Sequence, residues 1–225
     1  MPELVRNCIE SWHKYMPDWE YKLWTEDNFD VNLMPYTAES YAAGKYAFVS
    51  DVARLWVLRE YGGVYLDTDV EVFKNMEPLL QHQAFVCFEG SKKNPIATCV
   101  IGTVPNGIWI TEQCGNYSQD RHFIDGNGHY DMTSNTTFLT ACMTKNGFVA
   151  NGKQQQYKDL TVLTSDFFSP RQTTGEYFFT DNTYCDHLFC ASWTDKQKGF
   201  KSAILSLFGP KMRTAIIKLK RRILG

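Results

Sequence analysis

Apolar positions recur along this chain in two alternating rhythms. Val5, Cys8, Ile9, Trp12 and Tyr15 fall three or four residues apart, which predicts an amphipathic first helix that stops before Pro17. "YKLW" after it reads as a short strand, and a polar loop follows. From about Tyr46 to Tyr61 the pattern "YAFVSDVARLWVLREY" is again helical and ends on Gly62 and Gly63, residues suited to a left-handed helix stop. "VYLD", "AFVCF", "TCVIGTV" and "LTVL" read as strands. "SNTTFLTACMTKNG" reads as a helix opened by Ser134 or Asn135 and closed by Gly147. This alternation predicts an α/β domain over residues 1–195, followed by a different segment, residues 196–225.

The last segment differs in charge. From Lys196 onward there are nine Lys and Arg residues and no acid, whereas the first 195 residues hold 14 bases against 25 acids. Met212, Ile216, Leu219 and Ile223 lie at helical spacing among the basic residues, so residues 209–225 read as a basic amphipathic helix. Two roles suit it equally: peripheral contact with an anionic membrane, or a packing helix that solvates its charges. Because the rest of the chain is acidic, a nucleic-acid partner is not expected. No apolar run approaches the ~18 residues of a membrane span. The opening "MPELVRNCIESW" has no apolar signal core, and the seven cysteines form no C-x-x-C pair. Together these suggest reduced thiols and a cytoplasmic setting, with the tail at the inner face of a bacterial membrane.

The chemistry concentrates in "SDVARLWVLREYGGVYLDTDVE". Residues two apart on a strand face the same way, so Asp67 and Asp69 would aim two carboxylates at one point if the strand runs to Asp69. Carboxylates that close repel unless a cation lies between them, and two hard oxygen donors suit Mg²⁺ or Mn²⁺ better than zinc. Asp51 and Arg54, three apart on the preceding helix, share a face that the Gly-Gly turn would fold back beside Asp67. By default such a pair is a surface ion pair of little consequence. Beside the two aspartates it offers the acceptors and donors that sugar hydroxyls require.

This segment, with Asp51, Arg54, Tyr61, Gly62, Gly63, Tyr65, Asp67 and Asp69, resembles the DXD-containing sugar-binding region of glycosyltransferase family 32, which includes bacterial capsular polysaccharide transferases and the yeast outer-chain initiating mannosyltransferase. The large clostridial glucosylating toxins share the spacing more distantly. A second likeness lies in "NTYCDHLFCASW", where Asn182, Thr183, Tyr184, His187, Ser192 and Trp193 match the family's downstream segment. The resemblance implies a GT-A-type fold, with a mixed central sheet flanked by helices, and a metal-dependent, retaining transfer. The donor would be a UDP- or GDP-sugar, and the acceptor a glycan or lipid-linked glycan of bacterial surface polysaccharide synthesis. Carried over by position, Asp69 would bind Mn²⁺ or Mg²⁺ directly, with Asp67 touching the sugar or ribose and the metal's water. Asp51 and Arg54 would hold the donor sugar, and Tyr65 would support the donor. His187, Ser192 and Trp193 would close over the metal and diphosphate, His187 and Ser192 as further metal ligands.

Two departures qualify the likeness. Family members usually carry a strand resembling I-P-K-I-I-H-x-x-W ahead of the segment that begins here at Pro2, and the family's second adjacent histidine is replaced by Leu188. The first departure suggests a fragment or a start assigned late. Two other readings stand beside the transferase. "VYLDTDV" also fits the nucleophile motif of haloacid-dehalogenase-type phosphatases, but only isolated acids, Asp159, Asp166 and Asp181, are present to supply the later acidic pair. A protein that keeps the fold and binds sugar or nucleotide without turnover is the other.

Overall fold

The computed structural model describes residues 1–91, 93–171 and 177–189. Ser192, Trp193 and the basic tail therefore lie outside the described residues. The described chain is a mixed α/β fold whose centre is a five-stranded sheet. Its order is β1 (Gly63–Leu66), β4 (Val100–Thr103), β3 (Ala84–Cys87), β6 (Leu160–Leu163), β5 (Gln155–Tyr157). Only the β3–β6 pair is parallel; β1–β4, β4–β3 and β6–β5 are antiparallel, so the sheet is mixed. A separate ribbon pairs β2 (Val70–Val72) with β7 (Cys185–His187), antiparallel.

Alternation along the strands divides the core in two. Ala84 and Val86 of β3 and Ile101 of β4 face Leu55, Leu58, Trp109 and Leu139. These come from α3 (Tyr46–Tyr61), α4 (Ile108–Gly115) and α5 (Asn135–Lys145). Phe85 and Cys87 face the other way, onto Met16, Val70, Val72 and Cys185, where α1 (Glu3–Tyr15) and the ribbon pack. Burying both faces in this manner is what lets short strands read as continuous apolar runs. Gly102 is required where it stands, because a Cβ there would lie 2.1 Å from the Phe85 ring.

Several expected elements form as read. α3 ends at Gly62, whose φ of 66° is followed by 95° at Gly63, and this turn swings the chain directly into β1. A Cβ on Gly62 would also strike Pro105 at 2.6 Å. α5 opens on Ser134, whose hydroxyl accepts the Thr137 N–H.

Other elements differ. "YKLW" is not a strand: Leu23 is exposed, and Lys22 instead lies over the rings of Trp24 and Tyr61, so this segment packs through side chains with no strand beside it. The polar loop that follows contains α2 (Pro35–Ala42), started by proline at its first turn, which buries Tyr36, Thr37 and Ser40 rather than an aliphatic stripe. α4 was equally unmarked, and it is held at its start by the Asp159 carboxylate, which accepts the N–H groups of Ile108 and Trp109. β1 ends at Leu66, so Asp67 and Asp69 share a turn, closed by Val70 N–H donating to the Asp67 carbonyl at 3.0 Å, and not a strand face.

Candidate active site

Asp67 leaves the C-terminal end of β1, with its N–H donating to the Cys99 carbonyl at 2.8 Å. Tyr65, two residues earlier on the same strand, donates its hydroxyl to Asp67 Oδ1 at 2.8 Å. Burial pushes the Tyr65 phenol well above its ordinary range, so it remains a neutral donor.

Arg54 comes in from α3. Its side chain is 6% exposed, and its N–H groups are all directed inward. Nε donates to the Ser50 carbonyl; Nη1 donates to Asp67 and to the Thr98 carbonyl at 2.7 Å; Nη2 reaches Ser50 Oγ and Asp51 Oδ1, the latter at 3.1 Å. A guanidinium has five N–H donors, and these partners engage them, so in this structure Arg54 fixes two carboxylates, Asp51 and Asp67. Burial works against its charge, yet the neighbouring Asp67 carboxylate keeps it protonated. Asp51, 14% exposed, sits where the backbone N–H of Asn135 at the start of α5 reaches it. Burial raises the Asp51 carboxyl to about 7, against the pull of Arg54.

The ribbon supplies the third ligand-type group. In the β2–β7 register Val70 stands opposite His187, and Leu188 N–H donates to the Asp69 carbonyl at 3.0 Å. His187 Nε2 thereby comes within 3.3 Å of Asp69 Oδ1. One ligand atom from each of Asp67, Asp69 and His187 lies within 4.8 Å of the others. Burial opposes charge on His187, but Cys99 and Asp69 beside it hold its pKa well above the ordinary value.

Two carboxylates gathered against one imidazole fit a divalent cation, with the oxygens suiting Mn²⁺ or Mg²⁺ and the nitrogen favouring Mn²⁺. Asp51, Arg54, Tyr65, Asp67, Asp69 and His187 are thus brought together, while Ser192 and Trp193 lie outside the described residues. The sequence reading missed the Thr98 and Cys99 carbonyls, which any residue type would supply. It also missed Glu89, two residues beyond β3. The Glu89 carboxyl is raised by burial and feels His187. An acid straight after "AFVCF", at the same end of the sheet as Asp67, was its only signal.

Residues 2–86 match the family described as the glycosyltransferase sugar-binding region containing DXD motif. The chain is 34% identical over 97 residues to inositol phosphoceramide mannosyltransferase 1 of Schizosaccharomyces pombe, a stretch covering 38% of this chain and 29% of that protein. It is 38% identical over 85 residues to inositol phosphoceramide mannosyltransferase 3 of the same yeast, covering 36% and 23%. Against mannosyl phosphorylinositol ceramide synthase CSH1 of Saccharomyces cerevisiae it is 32% identical over 95 residues, covering 40% and 24%. The chain thus spans less than a third of the length of these relatives. No solved structure matches it significantly.

Proposed function

We propose that this chain is a metal-dependent, retaining glycosyltransferase of GT-A-type fold that moves a sugar from a UDP- or GDP-sugar to a lipid-linked acceptor. The observation that carries the reading is the gathering of Asp67, Asp69 and His187 within 4.8 Å, two of them inside the matched DXD region. For the acceptor, the family resemblance pointed to a glycan of bacterial surface polysaccharide, whereas the relatives are named for an inositol phosphoceramide. A lipid-linked acceptor is common to both. Mannose is the first sugar to test, because the relatives are named mannosyltransferases.

In this reading Asp69, Asp67 and His187 would hold Mn²⁺ or Mg²⁺, and such a cation would supply positive charge to offset that growing on the departing diphosphate. Arg54 and Tyr65 both donate to the Asp67 carboxylate and so fix its place beside that position. Asp51 accepts hydrogen bonds from donor-sugar hydroxyls. Ser192 and Trp193 are assigned to diphosphate closure on the motif alone. The phosphatase reading fits less well, because it needs Asp67 free to attack phosphorus, and Asp67 is engaged by Arg54 and Tyr65.

A thermal-shift screen of nucleotide sugars with and without Mn²⁺, followed by donor hydrolysis, tests this function. A ligand at a hundredfold excess over its Kd adds about 2.7 kcal/mol, a shift of several degrees for a chain of this size. Stabilisation without Mn²⁺ and no hydrolysis would instead mark a silent binder, and hydrolysis of simple phosphate monoesters would mark a phosphatase.

The Asp51 carboxyl yields a pH dependence. With its pKa near 7 in the free protein, ionised Asp51, the form that accepts sugar hydroxyls, fills as pH rises through 7. Nucleotide-sugar affinity is expected to climb by up to about tenfold per pH unit below 7 and to level off above it. Calorimetry from pH 5.5 to 8.5 on the wild type and Asp51→Asn checks this; a sloping profile that persists in Asp51→Asn assigns the titration elsewhere. On charge alone, residues 209–225 are proposed to bring the chain to an anionic membrane, each basic residue near the surface contributing about 1 kcal/mol. Deleting them should abolish low-salt sedimentation with anionic liposomes and leave donor hydrolysis intact; equal sedimentation of both proteins removes the membrane role.

A further inference from the structure

Residues 121–131 form a loop whose two arms meet at an antiparallel bridge between Ile124 and Tyr130. The arms are also joined by Asp131 N–H donating to the Phe123 carbonyl at 2.7 Å and by Arg121 Nη2 donating to the Asp131 carboxylate at 2.8 Å. The first arm is fastened to α2, where Glu39 Oε2 accepts the N–H groups of Phe123 and Ile124 at 2.8 and 2.9 Å. At the tip the Asp125 carboxylate accepts the N–H groups of Asn127 and His129. The backbone that carries Tyr130 is thus held on both sides. Phe123 is 0% exposed and packs on Tyr36 of α2 and Phe48 of α3, with ring centroids 5.5 and 5.0 Å apart. Tyr130 lies over Phe123 nearly parallel, at 5.3 Å and 17°, and is 46% exposed. One face of its ring is therefore backed by the core and the other is open.

Exposed apolar side chains scattered singly are ordinary. Tyr130 differs from them in being stacked and aimed. The exposed rings of Tyr46 and Tyr61, by contrast, meet Tyr41 and Trp24 at 60° and 42°, and the Lys22 ammonium lies over Tyr61. The place of Tyr130 also matters. Phe48, under Phe123, precedes Asp51 on α3, and the second arm runs on into α5, whose Asn135 side chain donates to the Asp51 carbonyl at 3.4 Å. The loop therefore borders the residue assigned to the donor sugar. We propose that the open face of Tyr130 is an acceptor subsite on which a six-membered polyol ring, a hexopyranose or an inositol, stacks through its C–H face. This rests on the transferase reading and adds to it the class of ring brought up to the donor. Such a ring carries C–H groups on a face and hydroxyls around its rim; the electron-rich face of tyrosine attracts the first and leaves the second free to hydrogen-bond. Charge favours a hydroxylated ring over an anionic surface, because Asp120, Asp125 and Asp131 lie on or beside the loop and Arg121 is tied to Asp131.

The test uses the full chain and two variants. Tyr130→Leu still covers Phe123 but has no aromatic face, and Tyr130→Trp keeps one. Methyl α-D-mannopyranoside and myo-inositol are titrated separately, and binding is read by saturation-transfer NMR, with a melting curve for each protein. The wild type should bind at least one of the two, with the ring C–H protons receiving the most saturation and the Tyr130 ring resonances shifting as the polyol is added. Tyr130→Leu should bind about five- to tenfold more weakly at an unchanged Tm, and Tyr130→Trp within about threefold of wild type. Which of the two polyols binds distinguishes a sugar acceptor from an inositol acceptor. Binding of neither polyol by the wild type overturns the proposal, as does wild-type affinity in a folded Tyr130→Leu protein. Tyr130 resonances that respond to phosphatidylcholine vesicles and not to the polyols give the face to lipid and overturn it as well. Donor hydrolysis with Mn²⁺, which needs no acceptor but water, decides the transferase reading separately.

Discussion

Asp69→Ala should abolish Mn²⁺-dependent donor turnover, by about three powers of ten or more, while the protein folds as before. The loss follows from the geometry of the cluster: Asp69 faces both His187 and the Asp67 carboxylate, so its removal leaves a carboxylate already engaged by Arg54 and Tyr65 and a single imidazole. A bound cation supplies several kcal/mol of charge stabilisation, and each 1.36 kcal/mol is a factor of ten in rate. The fold should tolerate the change because the Asp69 carbonyl, which accepts the Leu188 N–H, is unaffected by alanine and only the His187 contact is lost from those the carboxylate makes across the ribbon. Removing one of two adjacent carboxylates also relieves repulsion. Single-turnover hydrolysis with Mn²⁺, alongside circular dichroism and a melting curve, measures both halves. Turnover within tenfold of wild type in a folded Asp69→Ala protein would sink the assignment.

Arg54→Ala should act in the opposite order, on stability first. The substitution strips Asp51 and Asp67 of the cation that holds both, and removes the Arg54 donor from the Thr98 carbonyl. Breaking a buried ion pair from one side costs about 3–5 kcal/mol, since the abandoned charges stay out of water. For a chain of this length each kcal/mol lowers Tm by about 2–4 °C. A fall of roughly 6–20 °C is therefore expected, visible in urea or thermal unfolding without any ligand. Arg54→Lys retains the charge but not the fork, and should recover part of the loss. If Arg54→Ala melts within about 2 °C of wild type and fails only in nucleotide-sugar binding, the side chain is a ligand contact after all, as the sequence had suggested.

How far the sequence could be read depended on which interactions carry a residue-type signature. α3, the Gly-Gly turn and β1 were legible because helical spacing and two glycines at positive φ leave few alternatives, and with them came Asp51, Arg54, Tyr65, Asp67 and Asp69 in one place. α2 and α4 were not: Tyr36, Thr37 and Ser40 are buried polar or aromatic positions outside a simple apolar stripe, and α4 depends on Asp159, distant in sequence. The pairing of β2 with β7 was invisible because three residues make no periodicity, although the motif around His187 had hinted at its importance. The inward direction of all the Arg54 donors was also beyond reach, since two of the acceptors are backbone carbonyls.

The β2–β7 ribbon has a consequence for local unfolding. It is a ladder of three residue pairs lying apart from the five-stranded sheet, and its rung at Val70–His187 borders Asp69. So short a ladder has few hydrogen bonds of its own and is held mainly by the burial of Val70, Val72 and Cys185 against Met16 and Cys87. A cation held by Asp67 and Asp69 on one side and His187 on the other would clamp that rung shut, and the amide protons of β7 would exchange more slowly with solvent when it binds.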